Sequence, residues 1–355
     1  MKIAVIGTRG VPARYGGFET CAQELSVGLV KKGHSVFVYS RFGNEKVNPK
    51  TYKRVRLVYI PHIDSKNVGT LSHAFFSFIH SLFQNYDMIL AFNVGIAPLC
   101  IIPKLFAKKI ILNVDGLEWK RRKWGWLGKT YFKICERLAS HVIDGIITDS
   151  KSIKKYYKDN YHTLTKYISY GAYIGKSQKN GILKKYSLRP FDYFLIVSRL
   201  EPENNADLII KAFKQIKTNK NLVIIGNVPY KSQYVEELKK LTDSRVKFLS
   251  PIYDKDHLKE LYCDCYAYIH GNEVGGTNPA LLQALGYCSC VLTINVPFNR
   301  EVVKNSAILF EKSTKDLKEK MEYILKNPDV RRTYQKKAVE RIKNYYQWEK
   351  VIDDY

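Results

Sequence analysis

Short apolar segments rich in Val and Ile recur along this chain, and amphipathic segments separate them. This alternation is typical of buried parallel strands joined by crossover helices. It restarts after residue 180, and 355 residues suffice for about two domains. We therefore predict an α/β protein with two Rossmann-like parallel-sheet domains facing a cleft. The predicted strands are Lys2–Gly7, Ser35–Ser40, Arg56–Ile60, Met88–Phe92, Lys109–Asn113 and Gly145–Asp149, then Phe194–Ser198, Asn221–Gly226, Val246–Phe248, Cys265–His270, Cys290–Ile294 and Ala307–Phe310.

The boundary between the two domains is predicted near residue 172. The segment from Tyr170 to Ser187 is polar and poorly periodic, as linkers are. The tail from Thr314 to Tyr355 is strongly helical with a break at Asn327-Pro328. We divide the chain into residues 1–172, 173–335 and 336–355.

Composition restricts the class of protein. The 58 Lys and Arg residues exceed the 33 Asp and Glu residues by 25, which favours an anionic partner such as nucleic acid, lipid headgroups or phosphorylated substrates. No apolar run reaches the length of a membrane span, and the N-terminal run is too short for a signal peptide. The seven cysteines are expected as free thiols in a reducing cytoplasm. Cys263/Cys265 and Cys288/Cys290 are expected in the core, because their spacing is not that of common zinc modules.

The stretch Tyr268–Leu285 predicts an anion site. An apolar strand ends at His270, a Gly-rich turn follows, and Pro279 suits the first turn of a helix because the first helical N–H groups have no partner. The amides of such a turn and the helix dipole point at a bound anion. The amides concerned are those of Gly275, Gly276, Thr277 and Asn278.

Two further turns carry basic residues. The first, Gly7–Thr20, contains Arg9, Arg14 and the pair Gly16-Gly17, which suits close approach to a phosphate or is a plain connection. Arg199 stands just past the first strand of the second half. Its guanidinium suits a diphosphate, or it pairs on the surface with Glu201 or Glu203.

Four motifs in this order resemble one known family. They are Met1–Glu19 with Thr-Arg-Gly-Val-Pro-Ala-Arg-Tyr-Gly-Gly-Phe-Glu, Asp115-Gly-Leu-Glu-Trp-Lys-Arg121, Ser198–Asn205 and Glu273–Pro279. Together they resemble the GT-B glycosyltransferases of retaining family 4, and among them a bacterial rhamnosyltransferase subgroup of capsule, O-antigen and rhamnose-polysaccharide assembly. The resemblance covers nearly the whole chain. It implies an acceptor domain over 1–172, a nucleotide-sugar domain over 173–335 and a C-terminal helix that returns to the first domain.

The resemblance also implies site residues. Arg199 matches the diphosphate-binding Arg, while the basic residue usual a few positions later is Asn204 here. The position of the ribose-binding Glu is Gln283, and its partner Glu eight residues earlier falls on Gly275, with a carboxylate displaced to Glu273. An amide at position 283 can bond one sugar hydroxyl, which suits a deoxyribose nucleotide such as dTDP, or it is merely solvated.

Family 4 members need no metal, and the resemblance implies the same here, with the nucleotide-sugar as a substrate. Arg199, Glu273 and Asp115 are the expected catalytic residues. The expected donor-binding residues are Gly16, Gly17, Arg199, Asn204, His270, Gly275, Gly276, Thr277, Asn278 and Gln283. The expected acceptor-binding residues are Arg14, Glu19, Glu118, Trp119, Lys120 and Arg121. The expected partners are a nucleotide-sugar and a saccharide linked to polyprenyl diphosphate.

The stretch from Trp119 to Lys133 interleaves aromatic and basic residues. This mixture is typical of a segment that lies on a membrane, and we predict peripheral association with the anionic inner face of the cell membrane. An amphipathic helix with core Trp residues would give the same pattern. Binding of nucleic acid is not expected, because no recognition module accompanies the stretch. Transfer of another hexose from UDP or GDP remains open, as does a non-catalytic nucleotide- or nucleic-acid-binding protein.

Overall fold

The chain forms two compact units, which are described separately. The computed structural model describes residues 1–13, 16–43, 48–65, 68–121, 123–178, 181–228, 232–287 and 289–355. Unit 1 comprises Met1–Tyr170 and Trp348–Tyr355, and unit 2 comprises Gly171–Gln347.

Unit 1 is built on a sheet that has eight strands within its described residues. The spatial order is β3-β4-β2-β1-β5-β6-β7-β8, and every pairing is parallel except the short β3–β4 hairpin. The strands are β1 Lys2–Ile6, β2 Ser35–Arg41, β3 Thr51–Tyr52, β4 Val55–Ile60, β5 Met88–Phe92, β6 Ile110–Val114, β7 Gly145–Thr148 and β8 Lys166–Tyr167. The helices are α1 Gly17–Lys31, α2 Gly69–Leu82, α3 Ile101–Leu105, α4 Trp126–Val142 and α5 Lys151–Tyr161, with 3₁₀ helices at Val94–Cys100 and Glu118–Lys120.

A glycine closes the carboxyl end of β1. Gly7 has φ +102°, and a Cβ built on it would lie 2.1 Å from the carbonyl oxygen of Phe92 at the end of β5. Only a residue without a side chain tolerates both conditions. The carboxyl ends of β1 and β5 therefore approach closely, and the loops that follow them leave the sheet from the same edge.

Unit 2 has a six-stranded, fully parallel sheet within its described residues, in the order β11-β10-β9-β12-β13-β14. Its core contains β9, β10, β12 and β13 with the apolar faces of the flanking helices. The strands are β9 Tyr193–Val197, β10 Asn221–Ile225, β11 Val246–Leu249, β12 Ala267–His270, β13 Val291–Ile294 and β14 Ile308–Phe310. The helices are α6 Ala206–Lys214, α7 Gln233–Lys240, α8 Lys255–Cys263, α9 Pro279–Gly286, α10 Pro297–Val303, α11 Thr314–Lys326 and α12 Pro328–Tyr345, and 3₁₀ helices lie at Ile182–Tyr186 and Pro202–Asn204.

The α/β class and both parallel sheets are confirmed, and each of the twelve predicted strands has a counterpart within one or two residues at either end. The short strands β3 and β8 had no signal in the sequence. Each has two residues, too few to show a period.

The segment 336–355 is not one helix, which differs from the predicted division of the chain. Helix α12 stays with unit 2, where Arg341 Nε donates to the carbonyl of Val302 at 2.8 Å. A second helix, α13 (Trp348–Asp354), packs on α1 of unit 1. Ile352 fills the space that a side chain at Gly28 would need, and Lys32 forms an ion pair with Asp353.

The described cysteines are all buried and form no disulfide with one another, whereas Cys288 lies outside the described residues. Burial raises the pKa of the Cys265 and Cys290 thiols. Among the described residues, no group of three or more His, Cys, Asp or Glu side chains is placed to hold a metal ion. Over the same residues, the search for a helix with the length and apolar character of a membrane span finds none.

Candidate active site

Two loops that are hydrogen-bonded to each other meet at the carboxyl edge of the unit 2 sheet. Strands β9 and β12 are parallel neighbours, so the loops that follow them leave side by side. Asn205 Nδ2 donates to the carbonyl of Gly271 at 2.9 Å, and the backbone N–H of Glu273 donates to the carbonyl of Glu203 at 3.0 Å. A Cβ on Gly271 would lie 2.4 Å from the carbonyl oxygen of Asn204, so this contact also requires glycine. The two loops are therefore held as one structure.

Arg199 lies at the start of the first of these loops and is partly exposed. Within the described part of the chain its guanidinium forms no hydrogen bond or ion pair. The surface pair with Glu201 or Glu203, the other interpretation of this residue, is therefore not present there. The donors of Arg199 are available to an anion.

The second loop supplies the Gly-rich turn. Helix α9 begins at Pro279, as predicted, and Asn278 Oδ1 caps it by accepting the N–H of Ala280 at 2.9 Å. The backbone N–H groups of Gly275, Gly276 and Asn278 have no partner within the described residues, and Thr277 is buried. Gly275 has φ +147°, and the space beside it is open. The turn therefore offers amides to a ligand.

His270, the last residue of β12, is buried and neutral. Burial lowers the pKa of its imidazole to about 3. Nδ1 lies 3.1 Å from the hydroxyl of Tyr268, while the buried Nε2 has no partner in the described chain. His270 can exchange a hydrogen bond with a ligand, but it brings no positive charge to a diphosphate at neutral pH.

Asn204 and Glu273 have partners inside the protein. Asn204 Nδ2 donates to the carbonyl of Arg199 at 2.6 Å, so this amide shapes the loop that carries Arg199. Glu273 binds Lys312 through both oxygens, at 2.8 Å and 2.6 Å. Lys312 follows β14 at the same edge of the sheet and was not predicted as a site residue. Its signal was a basic residue two positions past the last strand.

Gln283 lies on α9 and is half-buried. Its side-chain amide has no hydrogen bond within the described residues, so the amide is available to a ligand or to solvent. Several buried polar atoms at this edge, which the sequence did not indicate, have no partner in the described chain. They are Ser198 Oγ, Asn272 Oδ1, Thr293 Oγ1, Asn295 Oδ1 and Asn299 Oδ1. Thr293 pairs in register with His270, so the row crosses adjacent strands.

In unit 1, the loop after β1 is organised by the first turns of α1. Gly16 is the N-cap of α1, and Gly17 is its first residue. Glu19 is buried, and its Oε1 accepts the backbone N–H of Arg9 at 3.3 Å. Gln23 Oε1 likewise accepts the N–H of Ala13 at 2.9 Å. Arg14 lies outside the described residues. Glu19 therefore holds the loop in place. This internal contact accounts for its carboxylate without a contact to an acceptor.

Asp115 follows β6 at the carboxyl edge of the unit 1 sheet and is partly exposed. It has no hydrogen bond or ion pair within the described residues. Asp149 occupies the equivalent place after the neighbouring strand β7 and is fully buried. Burial, and then the charges of Asp115 and Asp149, raise the pKa of the Tyr170 phenol, which places both carboxylates near that ring. Asp149 was not predicted as a site residue, although it ends a predicted strand as a polar residue.

Glu118 is the centre of an internal ion-pair cluster. Its carboxylate binds Arg121 at 2.5 Å and Lys123 at 2.9 Å, and it accepts Trp124 Nε1 at 3.2 Å. Burial opposes its ionisation, but the two cations outweigh burial and lower its pKa. Arg121 itself is buried. These two residues therefore shape the loop after β6, and a bound acceptor would have to compete for them.

Only one Trp of the aromatic-basic stretch faces solvent. Trp119 packs against Tyr156, and Trp124 packs on Phe132 with ring centroids 5.0 Å apart. Lys120 lies over the Trp119 ring, 5.4 Å from its centroid. Trp126, in contrast, is 74% exposed. The prediction that the whole stretch is an interfacial segment is thus wrong for Trp119 and Trp124, because their rings complete the apolar face of α4.

The comparisons with known proteins agree with this architecture. Residues 183–341 match the model of glycosyl transferases group 1, and residues 84–173 match a domain of unknown function, DUF1972. The segment 183–341 is therefore similar to group 1 glycosyl transferases. The matched range contains the Arg199 loop, the Gly-rich turn and Gln283.

The similarity to relatives and solved structures extends over nearly the whole chain. An uncharacterised glycosyltransferase of Methanocaldococcus jannaschii is 22% identical, over 96% of this chain and 93% of its own length. Sucrose-phosphate synthase from Thermosynechococcus elongatus has a TM-score of 0.85 at 17% identity, covering 99% of this chain and 96% of that one. HepE of Anabaena, solved with UDP and glucose, has a TM-score of 0.80 at 16% identity, covering 99% and 97%. These likenesses show that the chain has the fold of GT-B glycosyltransferase structures.

Proposed function

We propose that the protein is a retaining glycosyltransferase that transfers L-rhamnose from dTDP-rhamnose to a saccharide carried on a polyprenyl diphosphate. The product would serve a bacterial surface polysaccharide such as capsule or O-antigen. The protein would work in the cytoplasm, at the anionic inner face of the cell membrane. One observation carries the proposal. The guanidinium of Arg199 and the N–H groups of Gly275, Gly276 and Asn278 have no partner in the described chain and lie on two loops bonded to each other.

The chemistry follows from where negative charge develops. The bond between sugar C1 and the diphosphate oxygen breaks, the acceptor oxygen bonds to C1 on the same face, and the departing phosphate takes the acceptor proton. Arg199 and the turn amides stabilise the charge on the leaving diphosphate because their donors are already in place. Asp115, at the edge of unit 1, would orient sugar hydroxyls. Lys312 would supply the charge that Asn204 lacks by exchanging its partner Glu273 for the diphosphate.

Gln283 supports dTDP as the nucleotide. A carboxylate accepts hydrogen bonds from two ribose hydroxyls better than an amide does, and a deoxyribose offers one hydroxyl fewer. A UDP-hexose is the second candidate, because the structural neighbour HepE was solved with UDP and glucose. A non-catalytic nucleotide- or nucleic-acid-binding protein is the candidate from another class.

One assay separates the candidates. The purified protein is incubated with dTDP-rhamnose, UDP-glucose and GDP-mannose, each with a lipid-linked acceptor fraction, and nucleotide release is measured. Faster release of dTDP than of UDP or GDP supports the proposal. Release of UDP alone transfers the assignment to the second candidate. No release from any donor, together with tight nucleotide binding, contradicts an enzymatic function.

A further inference from the structure

Helix α2 of unit 1 presents a large apolar surface to solvent. Its exposed face carries Phe75, Phe76 and Ile79, and the next residue in the same row, Phe83, is 80% exposed. These positions lie on one side of a helix. The buried side carries Phe78 and Ala74 together with small polar residues, of which Ser77 Oγ donates to the carbonyl of His73 at 2.6 Å. Helix α2 therefore has an apolar buried side and a second row of large apolar side chains that faces solvent.

The neighbouring helices continue this surface. Helix α3 packs beside α2, and α2 and α4 both pack on the 3₁₀ helix Val94–Cys100. Leu105 and Phe106 at the end of α3 are 79% and 62% exposed, and Trp126 and Leu127 begin α4. We call these side chains, with Phe75, Phe76, Ile79 and Phe83, the α2 face. Monomeric proteins rarely expose so much apolar surface without a partner.

The same helices expose positive charge without negative charge. All residues of α2, α3 and α4 are described, and together they contain one carboxylate, Glu136. Glu136 is buried and accepts the hydroxyls of Tyr156 at 2.9 Å and Tyr161 at 2.8 Å. The exposed charges of α4 are the cations Lys129, Lys133 and Arg137. Apolar side chains beside cations suit the boundary between headgroups and acyl chains of an anionic bilayer.

An apolar groove joins the α2 face to the edge of the sheet. It has a volume of about 350 Å³ and is lined by Ile63, Leu71, Phe75, Phe76, Leu99 and Tyr131, among others. Ile63 follows the carboxyl end of β4, and the 3₁₀ helix Val94–Cys100 follows that of β5. The face thus begins at the edge of unit 1 that carries Asp115. We propose that the α2 face is the surface by which the protein docks on a bilayer with anionic headgroups.

Charge favours a bilayer over a second copy of the chain. A symmetric contact through the α2 face would bring Lys129, Lys133 and Arg137 of one copy near those of the other, whereas anionic headgroups would neutralise them. The docking itself does not depend on the reaction. Its use in presenting a lipid-linked acceptor to the edge that carries Asp115 rests on the proposed function.

Flotation with vesicles tests the surface without donor or acceptor. The full chain is mixed with two kinds of phosphatidylcholine vesicle. One kind contains no phosphatidylglycerol, and the other contains about one third, which gives the vesicle a negative surface. We expect Phe83→Ser/Leu105→Ser/Phe106→Ser to lower the partition coefficient about a hundredfold at any salt concentration. Lys129→Gln/Lys133→Gln/Arg137→Gln should remove the preference for anionic vesicles and the salt dependence.

Leu164→Ser is the matched control, because Leu164 is 84% exposed in unit 1 between α5 and β8, away from the three helices. It should bind as the wild type does. Equal binding of the apolar triple variant, or an equal loss with Leu164→Ser, overturns the proposal. A wild-type dimer that the triple variant dissociates, without vesicle binding by either, assigns the face to self-association instead. Nucleotide release is measured separately, so failure of docking and failure of the proposed reaction are distinguished.

Discussion

Replacement of Arg199 by Ala should change activity and leave stability unchanged. The guanidinium is partly exposed and has no partner within the described residues, so its loss breaks no internal bond of that part of the chain. If it stabilises the leaving diphosphate, the transition state should lose about 3 kcal/mol, or about a hundredfold in rate. Arg199→Lys should recover part of that loss, because a lysine restores the positive charge but not the bidentate hydrogen bonds of a guanidinium.

Arg245 provides the matched control in the same unit. Its guanidinium donates to the carbonyl of Ile216 at 2.9 Å and binds Asp243 at 2.8 Å. Arg245→Ala should therefore lower the free energy of unfolding by about 2 kcal/mol and leave the rate of nucleotide release per folded molecule unchanged. Urea titration and initial rates measure both quantities for each variant. Activity of Arg199→Ala within threefold of wild type, with the fold intact, would refute the assignment.

Four further outcomes are expected. Nucleotide release should survive excess EDTA, because Arg199 and the turn amides take the place of a cation; complete loss that magnesium or manganese restores would contradict this. The product dTDP should inhibit at least as well as UDP, and Gln283→Glu should shift the preference toward UDP; inhibition constants that the substitution leaves unchanged would count against the ribose contact. Lowering the pH from 7 to 5 should reduce the free energy of unfolding by about 2 kcal/mol through the buried His270, because its pKa is lowered to about 3 and the unfolded chain takes up the proton first. In His270→Asn the reduction should be smaller by that amount. If the free energies of unfolding of the two proteins depend on pH in the same way, His270 is not the cause. Gly271→Ala should disturb the loop that carries Arg199 and lower the rate at least tenfold, because the new Cβ would lie 2.4 Å from the carbonyl oxygen of Asn204, whereas full activity would show that the loops separate readily.

The strands and the Gly-rich turn were predictable because their signals are local. Apolar runs identify β9 and β12, and Pro279 marks the start of α9 from the sequence alone. The role of Glu118 was not predictable, since its ion pairs with Arg121 and Lys123 depend on how the loop after β6 folds back. Sequence period also cannot distinguish an apolar side chain that faces the core from one that faces solvent.

Unit 2 shows the same limit for polar residues. The sequence placed Glu273 near the anion turn, but its ion pair with Lys312 joins residues 39 positions apart. The row of buried polar atoms from Ser198 to Asn299, which have no partner within the described residues, becomes visible only when β9, β12 and β13 are set side by side. Local sequence therefore indicated which turns matter, and the order of the strands determined which side chains share them.

The discontinuity of unit 1 has a consequence for synthesis. Its first 170 residues leave the ribosome long before Trp348–Tyr355, which complete it, because the residues of unit 2 come between. At about 5–20 residues per second, this delay is on the order of 10–35 s. Throughout that interval the α1 surface around Gly28 lacks Ile352, and Asn113 lacks the buried Tyr355 hydroxyl that it binds in the finished protein. We expect chaperones and proteases to have access to the nascent first unit during this interval, and its yield in a cell should then depend on how fast the second unit is translated.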